Sequence, residues 1–209
     1  MLEKFIKLSQ AKKSASFTHD GQRSPRHRAW AENAIKDIDS LLQDHADNER
    51  KVSAMAMGII AKCPDKTKWI PELIETAIEE LEHFEGVYKF MEKRGVQLPQ
   101  KMAEDRYMKQ LIGACRSSVE ERLIDRILIA SIVEMRGMER FKLISEVLED
   151  PDLKQFYKEI WTSEAKHGTM FVRLALMYWD EDIIYKRLSE LNEIEGKICE
   201  GLEWRSAIH

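Results

Sequence analysis

Two copies of a Glu-x-x-His motif are the features of this sequence best suited to chemistry. The first holds Glu80 and His83 within EELEH, and the second holds Glu164 and His167 within SEAKH. A spacing of three residues places both side chains on one face of an α-helix, where a carboxylate and an imidazole can bind the same metal ion. One such motif arises often by chance, whereas two copies 84 residues apart indicate a repeated structural unit.

Each motif is preceded by a glutamate at a similar distance. Glu49 lies 31 residues before Glu80, and Glu134 lies 30 residues before Glu164. Both halves of the chain therefore share one plan, in which a helix with a central Glu precedes a helix with Glu-x-x-His. Glu139 is an alternative to Glu134 because it also lies among apolar residues, but the repeat favours Glu134.

Helical periodicity predicts that these six residues point into a core. At about 100° per residue, Glu80 and His83 share a flank of their helix with Val87, and similar apolar neighbours surround the other four. Glu79 and Glu82 fall on a separate polar face, which is typical of solvated side chains. Within EELEH, Glu80 and His83 are thus predicted to point inward as candidate ligands, whereas Glu79 and Glu82 are predicted to face solvent.

Four glutamates buried together require neutralisation, because an unpaired buried carboxylate is costly. Two divalent cations would balance the four formal charges, and each would gain one imidazole nitrogen. Mixed carboxylate and imidazole ligation suits iron or manganese better than a structural zinc site. A Glu from each of two helices with Glu-x-x-His from each of two others is the pattern of ferritin-like di-iron bundles.

Composition and periodicity predict an all-α protein. Of the 209 residues, 33% are charged and 44% hydrophobic, with only nine Gly and five Pro. Apolar residues recur at helical spacing from Trp30 onward, and no stretch alternates as a half-buried strand would. We expect a ferritin-like four-helix bundle with additional short helices. Its long helices cover about 29–62, 68–94, 119–148 and 152–179, with a short helix between 96 and 117 and a final helix ending near 201.

Three parts of the chain differ in composition. Residues 1–29 form a basic N-terminal arm that holds seven Lys or Arg against two acidic residues. Residues 30–179 form the bundle, and residues 180–209 form a C-terminal helix and tail.

A few basic residues are candidates for contact with nucleic acid. The net charge is −4, so a nucleic-acid partner would need a local basic patch. Antiparallel packing of the first two long helices would gather such a patch at one pole, from Arg26, Arg28, Lys93 and Arg94. A solvated helix end is the ordinary alternative.

The three cysteines argue against a thiolate metal site. Cys63, Cys115 and Cys199 are far apart and form no C-x-x-C pair, which favours a reducing compartment.

No apolar run approaches the about 18 residues of a membrane span, and the N-terminus lacks the apolar stretch of a signal peptide. We therefore expect a cytoplasmic protein without membrane association. The sequence leaves the oligomeric state open, with a monomer or dimer favoured.

Four segments carry a resemblance to a known family: LLQDHADNERKVSAMAM (41–57), EELEHFEGVYKFMEKRGV (79–96), LIDRILIASIVEMRGMERF (123–141) and FYKEIWTSEAKHGTMFVRLA (156–175). Over about residues 30 to 179, the chain resembles the tRNA-(2-methylthio-N6-isopentenyladenosine) hydroxylases, a family of tRNA-modifying enzymes. The iron ligands implied by the resemblance are Glu49, Glu80, His83, Glu134, Glu164 and His167, the residues that the spacing also selects.

The resemblance also implies an activity. It predicts a non-haem di-iron monooxygenase that hydroxylates the isopentenyl group of the hypermodified adenosine beside the tRNA anticodon. Two iron ions would be the cofactor, O₂ the co-substrate, and a separate reductase the electron donor. A ferroxidase or iron-handling protein and a di-iron oxidase of another substrate are the alternatives.

Two further residues could support the ligands. His45 lies one turn before Glu49 on nearly the same face, and Asp125 lies on the third long helix. Each has an ordinary alternative, a core histidine in the first case and a capping or ion-paired aspartate in the second.

Overall fold

Seven helices build the part of the chain that the structure describes. The computed structural model describes residues 25–102 and 104–208, including all of their side chains except those of Pro25, Arg26 and Ala165. The helices are α1 Pro25–Ala34, α2 Ile38–Lys62, α3 Ile70–Lys93, α4 Arg106–Gly113, α5 Val119–Val147, α6 Pro151–Leu176 and α7 Glu181–Gly201. The described residues contain no strand, and the predicted all-α fold is confirmed.

The four long helices form two antiparallel pairs. α2 packs along α3, and α5 packs along α6, while α3 also contacts α6 across the bundle. Cross-helix hydrogen bonds support each pair: the Ser53 hydroxyl donates to the Ala77 carbonyl at 2.7 Å, and the Ser131 hydroxyl donates to the Gly168 carbonyl at 2.5 Å. The predicted four-helix bundle is therefore present, with α1, α4 and α7 added around it.

The first long helix is shorter than the sequence pattern predicted. A break at residues 35–37 separates α1 from α2, where one helix over 29–62 was expected. Asp37 causes the break, because its carboxylate accepts hydrogen bonds from the Ser40 N–H at 3.0 Å and the Ser40 hydroxyl at 2.6 Å and so caps α2. The break lets α1 leave the axis of α2 and pack on α5.

Glycines allow α6 to approach both neighbours near the two Glu-x-x-His motifs. A Cβ at Gly86 on α3 would lie 2.6 Å from the Phe156 ring, and a Cβ at Gly168 would lie 2.5 Å from the Met135 side chain. Gly86 follows His83 by three residues, and Gly168 follows His167 directly. A larger residue at either glycine would therefore displace the side chain packed against it.

The C-terminal tail completes the hydrophobic core. Ala207 and Ile208 are buried, and the Ile208 N–H donates to the Asp44 carboxylate on α2 at 2.8 Å. Residues 1–24 of the predicted basic arm lie outside the described residues. Among the helices described, none combines the length and the apolar character that a membrane crossing requires.

Candidate metal centre

The bundle interior brings together all six residues of the repeated pattern. α2 and α5 each contribute one glutamate, and α3 and α6 each contribute a Glu-x-x-His pair. The four glutamates and His167 are buried, and the His83 side chain is 13% exposed. The residues are Glu49, Glu80, His83, Glu134, Glu164 and His167.

Their side chains form two overlapping groups of potential ligands. Within each group, one ligand atom from every residue lies within 4.8 Å of the others. Glu80 and Glu164 belong to both groups and can bridge two ions. The first group adds Glu49 and His83, and the second adds Glu134 and His167.

The imidazoles face these shared carboxylates through Nδ1. His83 Nδ1 lies 2.9 Å from Glu164 Oε1 and 3.4 Å from Glu80 Oε2. His167 Nδ1 lies 2.8 Å from Glu80 Oε1 and 3.1 Å from Glu164 Oε2. Both rings therefore direct a nitrogen toward the same bridging pair.

The donor set fits divalent cations. One buried oxygen on each of Glu80, Glu134 and Glu164 lacks a hydrogen bond of good geometry, although a histidine Nδ1 lies 2.8 Å from that of Glu80 and 2.9 Å from that of Glu164. Within residues 25–102 and 104–208, no Arg or Lys forms an ion pair with any of the four glutamates. Buried acceptors without donors are costly, and a metal ion satisfies them directly.

Burial and mutual repulsion perturb the glutamates. Burial raises the pKa of Glu80 to about 8, with further contributions from the charges of Glu164 and Glu49. Burial and the same repulsion hold the pKa of Glu134 well above its usual range. Burial also acts to raise the pKa of Glu164, but hydrogen bonds from His167 and His83 outweigh it and leave this pKa lowered.

The histidines respond in the opposite sense. Burial alone would lower the pKa of His167, but the Glu164 and Glu80 carboxylates raise it to about 11. The pKa of His83 is raised for the same reason, chiefly by Glu164 and Glu49 acting against burial. Protons and metal ions therefore compete for this cluster, since ligands must lose protons to bind a cation.

His45 lies beside the ligand cluster. Its Nε2 is 2.6 Å from Glu49 Oε1, and its Nδ1 is 3.2 Å from the Tyr157 hydroxyl. The imidazole is fully buried against the Phe141 ring, and burial lowers its pKa to about 3. The structure thus places His45 where the sequence suggested, in contact with a candidate ligand.

Asp125 lies elsewhere, which corrects the suggestion that it supports a ligand histidine. Its buried carboxylate accepts hydrogen bonds from the guanidinium groups of Arg116 and Arg187 at distances down to 2.8 Å. It precedes Glu134 by nine residues, or about 14 Å along α5. Its role is to join α7 and the α4–α5 loop to the bundle.

Glu79 also differs from expectation. Periodicity assigned Glu79 and Glu82 to a solvated face, and Glu82 is indeed exposed. Glu79 is only 29% exposed, and its Oε2 lies 2.7 Å from His167 Nε2 on α6. Glu79 directly precedes Glu80 and lies at the edge of the inward face, and this position is the sequence signal that could have indicated its contact with a ligand.

The predicted basic pole is only partly free to bind a partner. Arg28 pairs with Glu32 at 2.9 Å, and Arg94 pairs with Asp39 at 2.6 Å. The Lys93 ammonium lies 5.2 Å from the centre of the Phe90 ring, and the side chain of Arg26 lies outside the described residues. The Arg94–Asp39 pair confirms that the end of α3 lies beside the start of α2.

A second basic surface lies on the outer side of the α5–α6 pair. A groove of about 610 Å³ is lined by Lys142, Lys158, Lys166 and Trp161, together with two glutamates. None of these three ammonium groups pairs with a carboxylate within the described part of the chain. The Lys142 ammonium lies 5.1 Å from the centre of the Trp161 ring.

The fold and the ligand cluster define a ferritin-like bundle with a carboxylate–histidine metal centre. Residues 16–209 match the family model described as tRNA-(MS[2]IO[6]A)-hydroxylase (MiaE), and the chain belongs to this family. The resemblance seen in the sequence is thereby confirmed.

Individual relatives agree with the family assignment. A Pseudomonas putida protein named tRNA 2-(methylsulfanyl)-N(6)-isopentenyladenosine(37) hydroxylase is 31% identical, over 88% of this chain and 89% of its own. A Salmonella typhimurium protein of the same name is 32% identical, over 62% of this chain and 48% of its own. Among solved structures, a Synechococcus protein with aldehyde deformylating oxygenase activity matches with a TM-score of 0.81 and 30% identity, covering 87% of this chain and 91% of that one.

Proposed function

We propose that this protein is an O₂-dependent di-iron monooxygenase that hydroxylates the isopentenyl group of 2-methylthio-N6-isopentenyladenosine beside the tRNA anticodon. The observation that carries the proposal is the buried cluster of four glutamates and two histidines, in which no Arg or Lys of the described residues pairs with a glutamate, in a member of the tRNA hydroxylase family. The P. putida and S. typhimurium relatives named for this reaction support the choice of substrate.

The six residues would divide between two iron ions. Glu49 and His83 would serve one ion, Glu134 and His167 the other, and Glu80 and Glu164 both, as their shared membership of the two groups suggests. When bound, the iron pair supplies the reductive activation of O₂ that amino-acid side chains cannot supply.

The chain itself supplies negative charge, a site from which water is excluded, and fixed positions for the ligand side chains. Four carboxylates offset the charge of two divalent ions, and the surrounding apolar residues exclude water that would quench a reactive oxidant. His45 contacts Glu49 from the fully buried side of the cluster and restricts the position of that carboxylate. The isopentenyl group is apolar, so a dry site suits it, and a loop nucleotide can be splayed out to reach an enzyme site.

The reaction requires partners. Hydroxylation with one atom of O₂ consumes two electrons, which a separate reductase would deliver. The substrate would be the anticodon loop of tRNA, in the cytoplasm, and a monomer or dimer would leave the bundle accessible to it.

Aldehyde deformylation is a second candidate. The Synechococcus protein with this activity shares the fold and 30% identity with the chain. Activity on an aldehyde instead of tRNA would favour this assignment, and oxidation of ferrous iron without an organic substrate would favour a ferroxidase.

Mass spectrometry of tRNA nucleosides tests the proposal directly. Iron-loaded protein would be incubated with a reductant, O₂ and tRNA that carries 2-methylthio-N6-isopentenyladenosine. We expect that nucleoside to gain one oxygen atom, and labelled O₂ to supply it. A Glu164→Ala protein serves as the control, and a parallel assay offers an aldehyde. Unchanged tRNA with aldehyde consumed would contradict the proposal.

A further inference from the structure

The two halves of the metal cluster are not equivalent. The group containing Glu134 and His167 is buried at all four residues, whereas the group containing Glu49 and His83 includes the partly exposed His83. Both groups share Glu80 and Glu164, so their difference in exposure comes from the other two residues of each group.

Glu79 accounts for a second difference. His167 lies between two consecutive glutamates of α3: its Nδ1 is 2.8 Å from Glu80, and its Nε2 is 2.7 Å from Glu79. A carboxylate on Nε2 keeps a proton there, which leaves the Nδ1 lone pair for a metal ion and fixes the ring orientation. The same interaction makes the imidazole more basic and therefore a stronger ligand for a metal ion.

The other half of the repeat lacks this arrangement. The residue that precedes Glu164 is Ser163, which lines the outer α5–α6 groove. Among the described residues, the polar contacts of His83 all involve Nδ1, and no carboxylate lies within 4.0 Å of its Nε2. His83 therefore has no fixed carboxylate partner on its outward nitrogen.

We propose that the two metal positions differ in affinity, with the His167 half binding its ion more tightly because Glu79 positions that histidine. The inference rests on the metal centre of the proposed function. Glu79 acts through His167 and is a positioning residue. Loss of such a partner costs about 10- to 100-fold in metal affinity.

Titration of the metal-free protein with Co²⁺ or Zn²⁺ against a competing chelator measures the two steps. We expect two resolved binding constants in the wild type. Glu79→Ala should weaken the tighter step about 10- to 100-fold, and Glu79→Gln less, because the amide oxygen still accepts a hydrogen bond from Nε2–H. Glu82→Ala, an exposed glutamate three residues along the same helix, is the matched control and should follow the wild type.

A second measurement separates positioning from a general structural effect. In the Zn²⁺-loaded protein, nitrogen NMR of the His167 ring should show the proton on Nε2, with Nδ1 bound to the metal. Glu79→Ala should alter the His167 signals and leave those of His83 unchanged, and the thermal midpoint of the metal-free variants should match that of Glu82→Ala.

Equal constants in the wild type, or equal behaviour of Glu79→Ala and Glu82→Ala, would overturn the inference. Equal constants together with full hydroxylation of tRNA would overturn the asymmetry and leave the proposed function intact. A protein that binds no cation would overturn both.

Discussion

Buried glutamates in two regions of this protein have different partners. Glu195 on α7 is 2% exposed, and Arg136 donates to both of its carboxylate oxygens at 2.7 and 2.8 Å. Tyr107 and Cys199 complete its shell at 3.2 and 3.1 Å. The four glutamates of the candidate metal centre are equally buried, yet no arginine or lysine of the described residues pairs with them.

The pKa values record the difference. Burial acts to raise the pKa of Glu195, but the hydrogen bonds and charge of Arg136 outweigh it and lower the pKa to about 2. Burial and neighbouring carboxylates raise the pKa of Glu80 to about 8. Glu195 is matched by an arginine of the fold, whereas the four glutamates share only imidazole partners, a donor set that fits metal ions.

Removal of a ligand should have the largest effect. Glu134→Ala should lower the iron content from close to two per chain, and weaken metal binding beyond the about 100-fold expected for loss of an outer partner. Metal analysis after reconstitution measures this. Glu139→Ala is the matched control, because Glu139 on the same helix pairs with Arg136 and should leave the iron content nearly unchanged. The reverse result would show that Glu139 is the ligand.

The Arg136–Glu195 pair should affect stability and leave metal content intact. Glu195→Gln removes the buried carboxylate that accepts two hydrogen bonds from Arg136, but the guanidinium is 20% exposed and keeps its pair with Glu139, so we expect a loss of about 1–3 kcal/mol of unfolding free energy at neutral pH. Urea unfolding of the metal-free protein measures it. A loss of iron without a loss of stability would contradict the structural role.

The same pair should produce an acid dependence of stability. A carboxylate whose pKa falls from 4.5 in the unfolded chain to about 2 in the folded protein stabilises the fold fully above pH 4.5, and this contribution disappears as the pH falls toward 2. Its full size is about 3 kcal/mol. The difference in unfolding free energy between wild type and Glu195→Gln should therefore shrink over this range. A constant difference would exclude Glu195 as the source.

The smallest effect concerns the RNA surface. Changing Arg26, Arg28, Lys93 and Arg94 together to Gln should weaken tRNA binding and reduce its salt dependence, by about one unit of slope for each phosphate that is no longer neutralised. The reduction should be less than four units, because Arg28 and Arg94 already pair with carboxylates. Measurement of tRNA affinity across a salt series tests this.

The α5–α6 groove supplies the control for that experiment. A protein with Lys142, Lys158 and Lys166 changed to Gln should follow the wild-type salt curve. If the groove variant showed a reduced slope and the four-residue variant did not, the RNA would lie on the α5–α6 face, where the three ammonium groups have no carboxylate partner within the described residues.

The sequence by itself determined the fold class and the composition of the cluster. Glu-x-x-His occurs twice at matched distances from Glu49 and Glu134, and helical periodicity directs these residues inward. These are properties of single helices, because the face on which a residue lies depends only on the turn of its own helix. The same logic assigned Glu82 to solvent correctly. It could not choose between Glu134 and Glu139 as the candidate ligand, and the repeat spacing made that choice.

Only the tertiary structure decided which side chains meet between helices. Glu79 lies at the edge of its polar face, and it reaches His167 because α3 packs against α6 across the bundle. Asp125 pairs with Arg187, 62 residues away, because α7 packs on α5 at that level. The rotation and crossing of helices come from packing side chains of many segments at once, and no pattern within one segment encodes them.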